Sequence, residues 1–175
     1  GAGNDKYLIL NSANAATDVF NMWNNTTPTD THFTYNSDIT NGEHIAYLFA
    51  EDTPNVIKCG SYTGNGSKQD IDVGFQPQWL LIKLTSGSGS WFLVDSKRGN
   101  SGNSSLSPNL NDSEALAVPV SLTPNGFSLI NNNPFWNGGG SNYIYVAIAE
   151  PPTARSMTQE EFAEQRLKFL TYQNR

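Results

Sequence analysis

The chain has 175 residues, of which 37% are hydrophobic and 15% are charged, and its net charge is −6. This length fits one domain of ordinary size or two small ones. The acidic balance argues against a nucleic-acid partner, and no apolar run reaches the ~20 residues that a membrane-spanning helix needs. Polar character comes mainly from Asn, Ser, Thr and Gly, which favour turns over helix interiors, so the composition predicts an all-β protein.

Turn signals divide the chain into short strands. The Asn-Gly dipeptide suits the positive φ angles of hairpin turns, and it occurs at 41–42, 65–66, 125–126 and 137–138. The runs between turns predict strands over 6–10, 32–35, 44–50, 57–62, 79–84, 91–94, 126–130 and 142–149. In the last run, aromatic and small residues alternate with branched aliphatic ones, so both faces are apolar. This pattern predicts a central strand that is covered on both sides.

Two stretches of the sequence end in the same way. GEHIAYLFAE (42–51) and SNYIYVAIAE (141–150) are 99 residues apart, and the Gly-Asn pairs at 3–4 and 102–103 have the same separation. The front section of the second copy, 57–99, has no counterpart in the first. We therefore predict an antiparallel β-sandwich over 1–152 with an internal repeat in one and a half copies, a half-copy at 1–53 and a full copy at 54–152.

The half-copy raises the question of which strands pair with it, since an unpaired strand exposes a row of hydrogen-bonding groups. The second repeat, another chain or an upstream segment could cover residues 1–50. Alternatively, the half-copy completes the sheet of a single sandwich. The sequence leaves these alternatives open.

The last residues differ in character from the rest. Pro151 and Pro152 end the final strand, because proline cannot donate to a ladder. Thr158 and Glu161 form a capping box, which predicts an amphipathic helix over 158–172 within a linker-and-helix segment, 153–175. Its apolar side carries the candidate assembly residues Phe162, Leu167, Phe169 and Leu170. This stripe either docks on the sandwich or associates with copies of the chain or with another protein.

Catalytic motifs are missing from the sequence. His32 and His44 lie on different predicted strands, and the glycine-rich stretch 60–70 lacks the Gly-Lys-Ser/Thr ending of a phosphate-binding loop. Asp70 and Asp72 share a strand face, but solvated acids are commoner than a carboxylate pair or a calcium site. We therefore predict no enzymatic activity, no catalytic residues, no metal and no cofactor.

Two tryptophans stand in irregular, Asn-rich stretches. Trp23 lies in FNMWNNTTPTD and Trp136 in NNNPFWNGGGS. An aromatic side chain in a polar loop either packs back as a plug over the core or forms a platform for a sugar ring, with neighbouring amides supplying hydrogen bonds. The candidate ligand-binding residues are therefore Trp23, Asn24, Trp136 and Asn137.

The order of several short motifs resembles a known family. GSYTGNG, GFQPQWLLIK, DSKRG, NGF and YIYVAIAE follow one another from residue 60 to residue 150. This order is similar to that of a repeated β-rich domain in tail fibres and other structural proteins of marine bacteriophages, especially cyanophages. The resemblance implies a place on a virion, a homo-oligomeric and often trimeric appendage, and contact with the host surface. It supplies no catalytic residues.

Two functional hypotheses follow. In the leading one, the chain is a non-enzymatic virion structural protein, a tail-fibre or appendage module that binds a glycan or protein of the host cell surface. Its expected partners are further copies of itself, with a trimer favoured, and other virion proteins, without nucleic acid or membrane insertion. In the alternative, the chain is a purely architectural virion subunit, a capsid or tail decoration without a ligand, and helix 158–172 anchors it. A polysaccharide-degrading enzyme is a third and weaker possibility.

Overall fold

The computed structural model describes most of the chain up to Pro151. The described residues are 6–18, 23–24, 26–36, 43–49, 51–98, 104–116 and 120–151. The predicted C-terminal helix, with Phe162, Leu167, Phe169 and Leu170, lies outside them, and so does the linker from 153 onward.

The described part of the chain is all-β and contains no helix, which confirms this part of the predicted fold class. Every strand pair in it is antiparallel. The strands are β1 (Lys6–Tyr7), β2 (Thr17–Asp18), β3 (Asp52–Thr53), β4 (Ile57–Thr63), β5 (Gln69–Asp72), β6 (Pro77–Leu84), β7 (Phe92–Asp95), β8 (Ser104–Leu106), β9 (Ala115–Leu116), β10 (Val120–Thr123), β11 (Gly126–Leu129) and β12 (Asn142–Ala149).

The largest sheet has seven strands in the order β3-β4-β12-β6-β7-β8-β9. As its alternating pattern predicts, β12 lies inside this sheet, with β4 on one edge and β6 on the other. Tyr143, Tyr145 and Ala147 point to the core and are buried, whereas Ile144, Val146 and Ile148 are half-buried on the opposite face. The period of two therefore gives this strand its two different faces.

A second sheet has the order β10-β11-β5. Phe127, Leu129 and Val120 of this sheet are fully buried, and they belong to one core cluster with Leu80 and Tyr145 of the larger sheet. The ring of Phe127 lies edge-on to that of Tyr145, with 5.3 Å between the centroids. Each such side chain contributes about 1.5–3 kcal/mol when it leaves water, so this shared core is the main stabilising contact between the sheets.

The N-terminal segment 6–18 crosses one end of the seven-stranded sheet. The Lys83 ammonium donates to the Asn14 carbonyl at 2.8 Å, and the Trp91 indole donates to the Ile9 carbonyl at 3.0 Å. The backbone amide of Ala16 adds a bond of 3.0 Å to the Thr85 carbonyl. These bonds fix the segment beside the ends of β6 and β7.

The strands predicted over 32–35 and 44–50 do not form in the described residues. Residues 43–49 are all exposed, and Ile45, Tyr47, Leu48 and Phe49 are 82%, 81%, 76% and 63% accessible. The sequence predicted strands here from apolar content, but a strand also needs a neighbouring backbone to pair with. The residues of the segment itself do not show whether such a neighbouring backbone is present.

Candidate functional site

A groove of about 480 Å³ lies where the ends of β4, β6 and β12 meet the N-terminal segment. We call it the hydroxyl groove, because its polar lining consists largely of hydroxyl and amide side chains. The residues that supply this polar lining are Lys6, Ser61, Thr63, Thr85, Ser86 and Asn142.

Strand register brings the polar residues together. Asn142 begins β12 and lies directly opposite Thr63, the last residue of β4. Thr85 and Ser86 follow the last residue of β6, which pairs with the next residue of β12. β4 and β6 end, and the antiparallel strand β12 begins, at the same end of the sheet. Three segments that are far apart in the sequence therefore form one surface.

Asn142 holds the lining side chains in place. Its side-chain oxygen accepts a hydrogen bond from the Thr63 hydroxyl at 3.0 Å. Its backbone carbonyl accepts one from the Thr85 hydroxyl, and its backbone amide donates to the Ser86 oxygen, both at 3.0 Å. A hydroxyl has one donor and two acceptor positions, so each of these groups keeps capacity for a further hydrogen bond. The groove thus contains fixed polar groups of the kind that can hydrogen-bond to a polyhydroxylated ligand.

Two lysines give the N-terminal wall of the groove its charge and its position. Lys6 is exposed and lines the groove. Lys83 is fully buried under the N-terminal segment, where it donates to the carbonyls of Asn14 and Leu84, both at 2.8 Å. Burial lowers the pKa of the Lys83 ammonium. Lys83 therefore positions the wall, and Lys6 is the exposed lysine of the groove lining.

The model of a protein family described as "Domain of unknown function (DUF7483)" matches residues 2–152. The chain belongs to this family. Comparison with curated proteins and with solved structures gave no match. The DUF7483 match includes every described strand and all residues of the hydroxyl groove, but it ends before the predicted C-terminal helix.

Within the DUF7483 region, the four predicted ligand-binding residues lie in two different settings. Trp23 is half-buried, and its indole donates to the Lys6 carbonyl at 2.8 Å, next to the hydroxyl groove. Asn24 beside it is exposed and has a φ of 52°. Trp136 and Asn137 do not line the groove.

Trp136 packs as a plug, the first of the two alternatives for an aromatic residue in a polar loop. Its side chain is only 7% exposed, and its ring centroid lies 4.6 Å from that of Phe92. A ring covered in this way offers no flat surface to a sugar, and we therefore do not propose Trp136 as a ligand-binding residue. Whether Trp23 and Asn24 bind a ligand stays a prediction.

Asn137 is fully buried and joins two loops. Its amide nitrogen donates to the carbonyls of Ser67 at 2.6 Å and Asn131 at 3.1 Å. Its side-chain oxygen accepts from the Asn65 amide at 3.1 Å. All three contacts are to backbone atoms, so the residue organises the loops rather than facing solvent.

The hydroxyl groove could not be predicted from the sequence. Ser61 and Thr63 belong to the quoted GSYTGNG motif, but serine and threonine are too common for one position to indicate a site. Thr85, Ser86 and Asn142 come from other segments, and only the register of β12 with β4 and β6 brings them together.

The acidic residues singled out in the sequence have structural contacts. Asp72 accepts a hydrogen bond from the Gly74 amide at 2.8 Å, and Asp70 accepts one from the Ser128 hydroxyl at 2.5 Å. Asp95 accepts from the amides of Lys97 and Arg98. Among the described residues, no group of three or more His, Cys, Asp or Glu side chains could hold a metal ion. No described helix is long and apolar enough to span a membrane.

Proposed function

We propose that this chain is a non-enzymatic structural module of a phage virion, part of a tail fibre or similar appendage, and that it contacts the host cell surface by binding an oligosaccharide in the hydroxyl groove. The observation that carries the binding role is the groove itself, with hydroxyl groups held in place around Asn142 and an exposed lysine in its lining. The resemblance to tail-fibre domains supports the location on a virion.

We also infer the finer features of the fold, a sandwich and an internal repeat. The shared core between the two sheets supports the sandwich. For the repeat, adding 98 to each residue number converts the β1–β2 pairs Lys6–Asp18 and Tyr7–Thr17 into the β8–β9 pairs Ser104–Leu116 and Ser105–Ala115. This shift is one residue shorter than the separation of 99 between the matching sequence stretches.

The same shift of 98 relates the turns that follow β1 and β8. Ser12 donates its amide proton to the Ile9 carbonyl at 3.2 Å, and Leu110 donates to the Ser107 carbonyl at 2.9 Å. Two hairpins with the same register and the same internal turn are expected if residues 1–53 and the back of 54–152 are copies of one unit.

Binding to a printed array of neutral and acidic oligosaccharides tests the groove. We expect the Thr63→Ala variant to weaken binding of the best oligosaccharide about threefold to tenfold, since one hydrogen bond contributes roughly 0.5–1.5 kcal/mol. Lys6→Ala should weaken binding of acidic sugars more than that of neutral ones. Thr123→Ala is the matched control, because Thr123 is a partly exposed threonine in the other sheet and does not line the groove.

Equal binding by the wild-type chain, Thr63→Ala and Lys6→Ala would remove the groove from the binding site. Binding that falls in Trp23→Ala but in neither groove variant would move the site to the Trp23 loop. Release of reducing sugar ends from the bound oligosaccharide would contradict the non-enzymatic assignment.

The architectural alternative is favoured by a different observation. The described part of the chain exposes a run of large apolar side chains at residues 45–49, which is typical of surfaces that become buried in assemblies. In this reading the chain is a homo-oligomeric subunit, with a trimer favoured. If the helix predicted over 158–172 anchors it, deletion of 156–175 lowers the native mass and leaves the β-structure folded. An unchanged native mass after the deletion rules against that role for the helix.

A further inference from the structure

Residues 43–49, which we call the apolar segment, form no strand pairing among the described residues although their composition suits a strand. Ile45, Tyr47 and Phe49 lie on one side of an extended chain, and Ala46 and Leu48 lie on the other. All seven residues are exposed. A backbone with apolar side chains on both faces suits the interior of a sheet, where both edges are paired.

The segment leads directly into the edge of the seven-stranded sheet. Two residues after it ends, Glu51 accepts a hydrogen bond from the Cys59 amide at 2.7 Å, and β3 then pairs with β4. The apolar segment therefore departs from the sheet instead of lying along β4. The segment is anchored at one end, and its backbone edges belong to no ladder among the described residues.

The internal repeat indicates what belongs on those edges. The apolar segment corresponds to residues 142–148, all of β12 except its last residue, through the GEHIAYLFAE and SNYIYVAIAE match. β12 pairs with β4 on one edge and with β6 on the other. The hairpin β1–β2 corresponds to β8–β9, so the back half of the repeat is present twice, whereas the described residues show strands like β4 and β6 in front of the second back half alone.

We propose that the apolar segment is the acceptor for a front half-repeat, a polypeptide that brings two strands with the chemistry of β4 and β6, each of them antiparallel to the segment. The inference rests on the internal repeat proposed above and is independent of sugar binding in the groove. It assigns residues 43–49 as an assembly site at which one module completes another.

The register of β12 specifies the chemistry of this partner. Ile144, the counterpart of Ile45, lies opposite Ser61 of β4 and Lys83 of β6. The counterpart of Tyr47 lies opposite Cys59 and Leu81. One edge of the apolar segment thus takes a strand of small and polar residues such as IKCGSYT, and the other takes an aliphatic strand such as PQWLLIKL.

A folded second copy of this chain does not offer that pair of strands. In each copy β4 already lies between β3 and β12, and β6 lies between β12 and β7. The partner must therefore bring its own two strands. Two apolar segments from different copies could also pair with each other. That arrangement depends on protein concentration, and the concentration dependence of the exchange rate distinguishes it from the proposal.

The test is an extended chain in which a second copy of residues 54–98 is joined in front of residue 1. This junction keeps the spacing of 98 that relates the two hairpins. We expect the amides of 43–49 to exchange with deuterium at least about 100-fold more slowly than in the original chain, because ladder amides exchange only when the structure opens. The β12 amides, which are already paired, serve as the internal reference for a folded body.

Two matched chains control for the extension itself. In the first, the added 45 residues have the same composition in scrambled order, and the amides of 43–49 should exchange as fast as in the original chain. In the second, Tyr47→Pro in the extended chain removes one donor and should return its neighbours to fast exchange. Tyr47 is 81% exposed, so this substitution leaves the folded body intact.

Fast exchange at 43–49 in the extended chain, with β12 still protected, overturns the proposal. So does equal protection with the scrambled extension. Protection that appears in the original chain and grows with its concentration assigns the segment to self-association instead. Oligosaccharide binding is measured on the same samples. Sugar binding in the groove and strand pairing at 43–49 are therefore tested separately, and failure of one does not contradict the other.

Discussion

Asn137 shows how much a single buried amide organises. Replacing it with alanine leaves the Asn65 amide without its acceptor and the carbonyls of Ser67 and Asn131 without their donor. Each of these part-buried hydrogen bonds contributes about 0.5–1.5 kcal/mol, so we expect Asn137→Ala to lower the free energy of unfolding by about 2–4 kcal/mol. Urea denaturation measures this change. Asn111→Ala, at an exposed position, is the control and should change stability by less than about 0.5 kcal/mol.

Lys83 makes stability depend on pH in the alkaline range. Because burial lowers its pKa below the usual 10.5, the unfolded chain binds more protons than the folded one between the folded pKa and 10.5. Below the folded pKa, the folded state bears the whole free-energy cost of burying the charged ammonium. This cost is relieved as the pH rises through the window, so the free energy of unfolding increases. Lys83→Met should lose the rise, which denaturation at several pH values up to 10.5 would reveal.

The alkaline measurement needs a difference between two chains. Burial raises the pKa of Tyr62 and of Tyr145, so these groups lower stability as pH rises above their ordinary range. Both tyrosines are present in the wild type and in Lys83→Met, and their contribution cancels when the two curves are subtracted. Parallel curves for the two chains would mean that the Lys83 amine titrates alike in the folded and unfolded states.

At the scale of elements, the loop between β11 and β12 is fixed by two stacked tyrosines. The rings of Tyr62 and Tyr143 are 5.0 Å apart and inclined by 13°. The Tyr62 hydroxyl donates to the Trp136 carbonyl at 2.6 Å. The Tyr143 hydroxyl donates to the Pro134 carbonyl at 2.7 Å and accepts from the Gly138 amide at 2.9 Å. Hydroxyl groups at the ends of strands thus hold a loop that has no ladder of its own.

Tyr143→Phe should loosen this loop without disturbing the sheet, because it removes both loop contacts and keeps the ring. We expect about 1–3 kcal/mol of destabilisation and faster hydrogen exchange at residues 133–138. The amides of β4 and β6 should keep their relative protection. An unchanged exchange rate across the loop would show that Asn137 and Trp136 are sufficient to hold it.

Elements also show how far the sequence could predict this molecule. β12 was predicted because its alternating residues carry the signal of a buried strand within themselves. The strands predicted over 32–35 and 44–50 have similar composition, yet the described residues there form no ladder, since pairing depends on a second segment. The hydroxyl groove escaped prediction for the same reason. Its residues come from separate segments, and only strand register joins them.

The tryptophans were harder still to predict. Trp23 and Trp136 both lie between polar residues, and the sequence around them does not distinguish a plug from a platform. The structure separates them by what lies nearby, since Trp136 meets Phe92 in the core and Trp23 bonds to the backbone of Lys6. Aromatic side chains in loops thus have to be assigned from tertiary contacts.

At the scale of the whole molecule, the shared core predicts that both sheets unfold together. The buried cluster includes Phe127 and Leu129 from the three-stranded sheet and Leu80, Ile82 and Tyr145 from the seven-stranded sheet. Neither sheet could keep these side chains out of water alone. Urea unfolding followed by far-ultraviolet circular dichroism and by tryptophan fluorescence should therefore give one coincident transition.

The apolar segment should behave differently from this cooperative body. Its exposed side chains contribute little to the core, so local fluctuations that expose its amides to solvent cost almost no free energy. Amides of 43–49 are expected to exchange at a rate that urea hardly changes, whereas β6 and β12 amides exchange through global unfolding, with a strong urea dependence. If amides of 43–49 showed the same urea dependence as β12, the segment would belong to the cooperative unit, and its exposure could not leave it available to a partner.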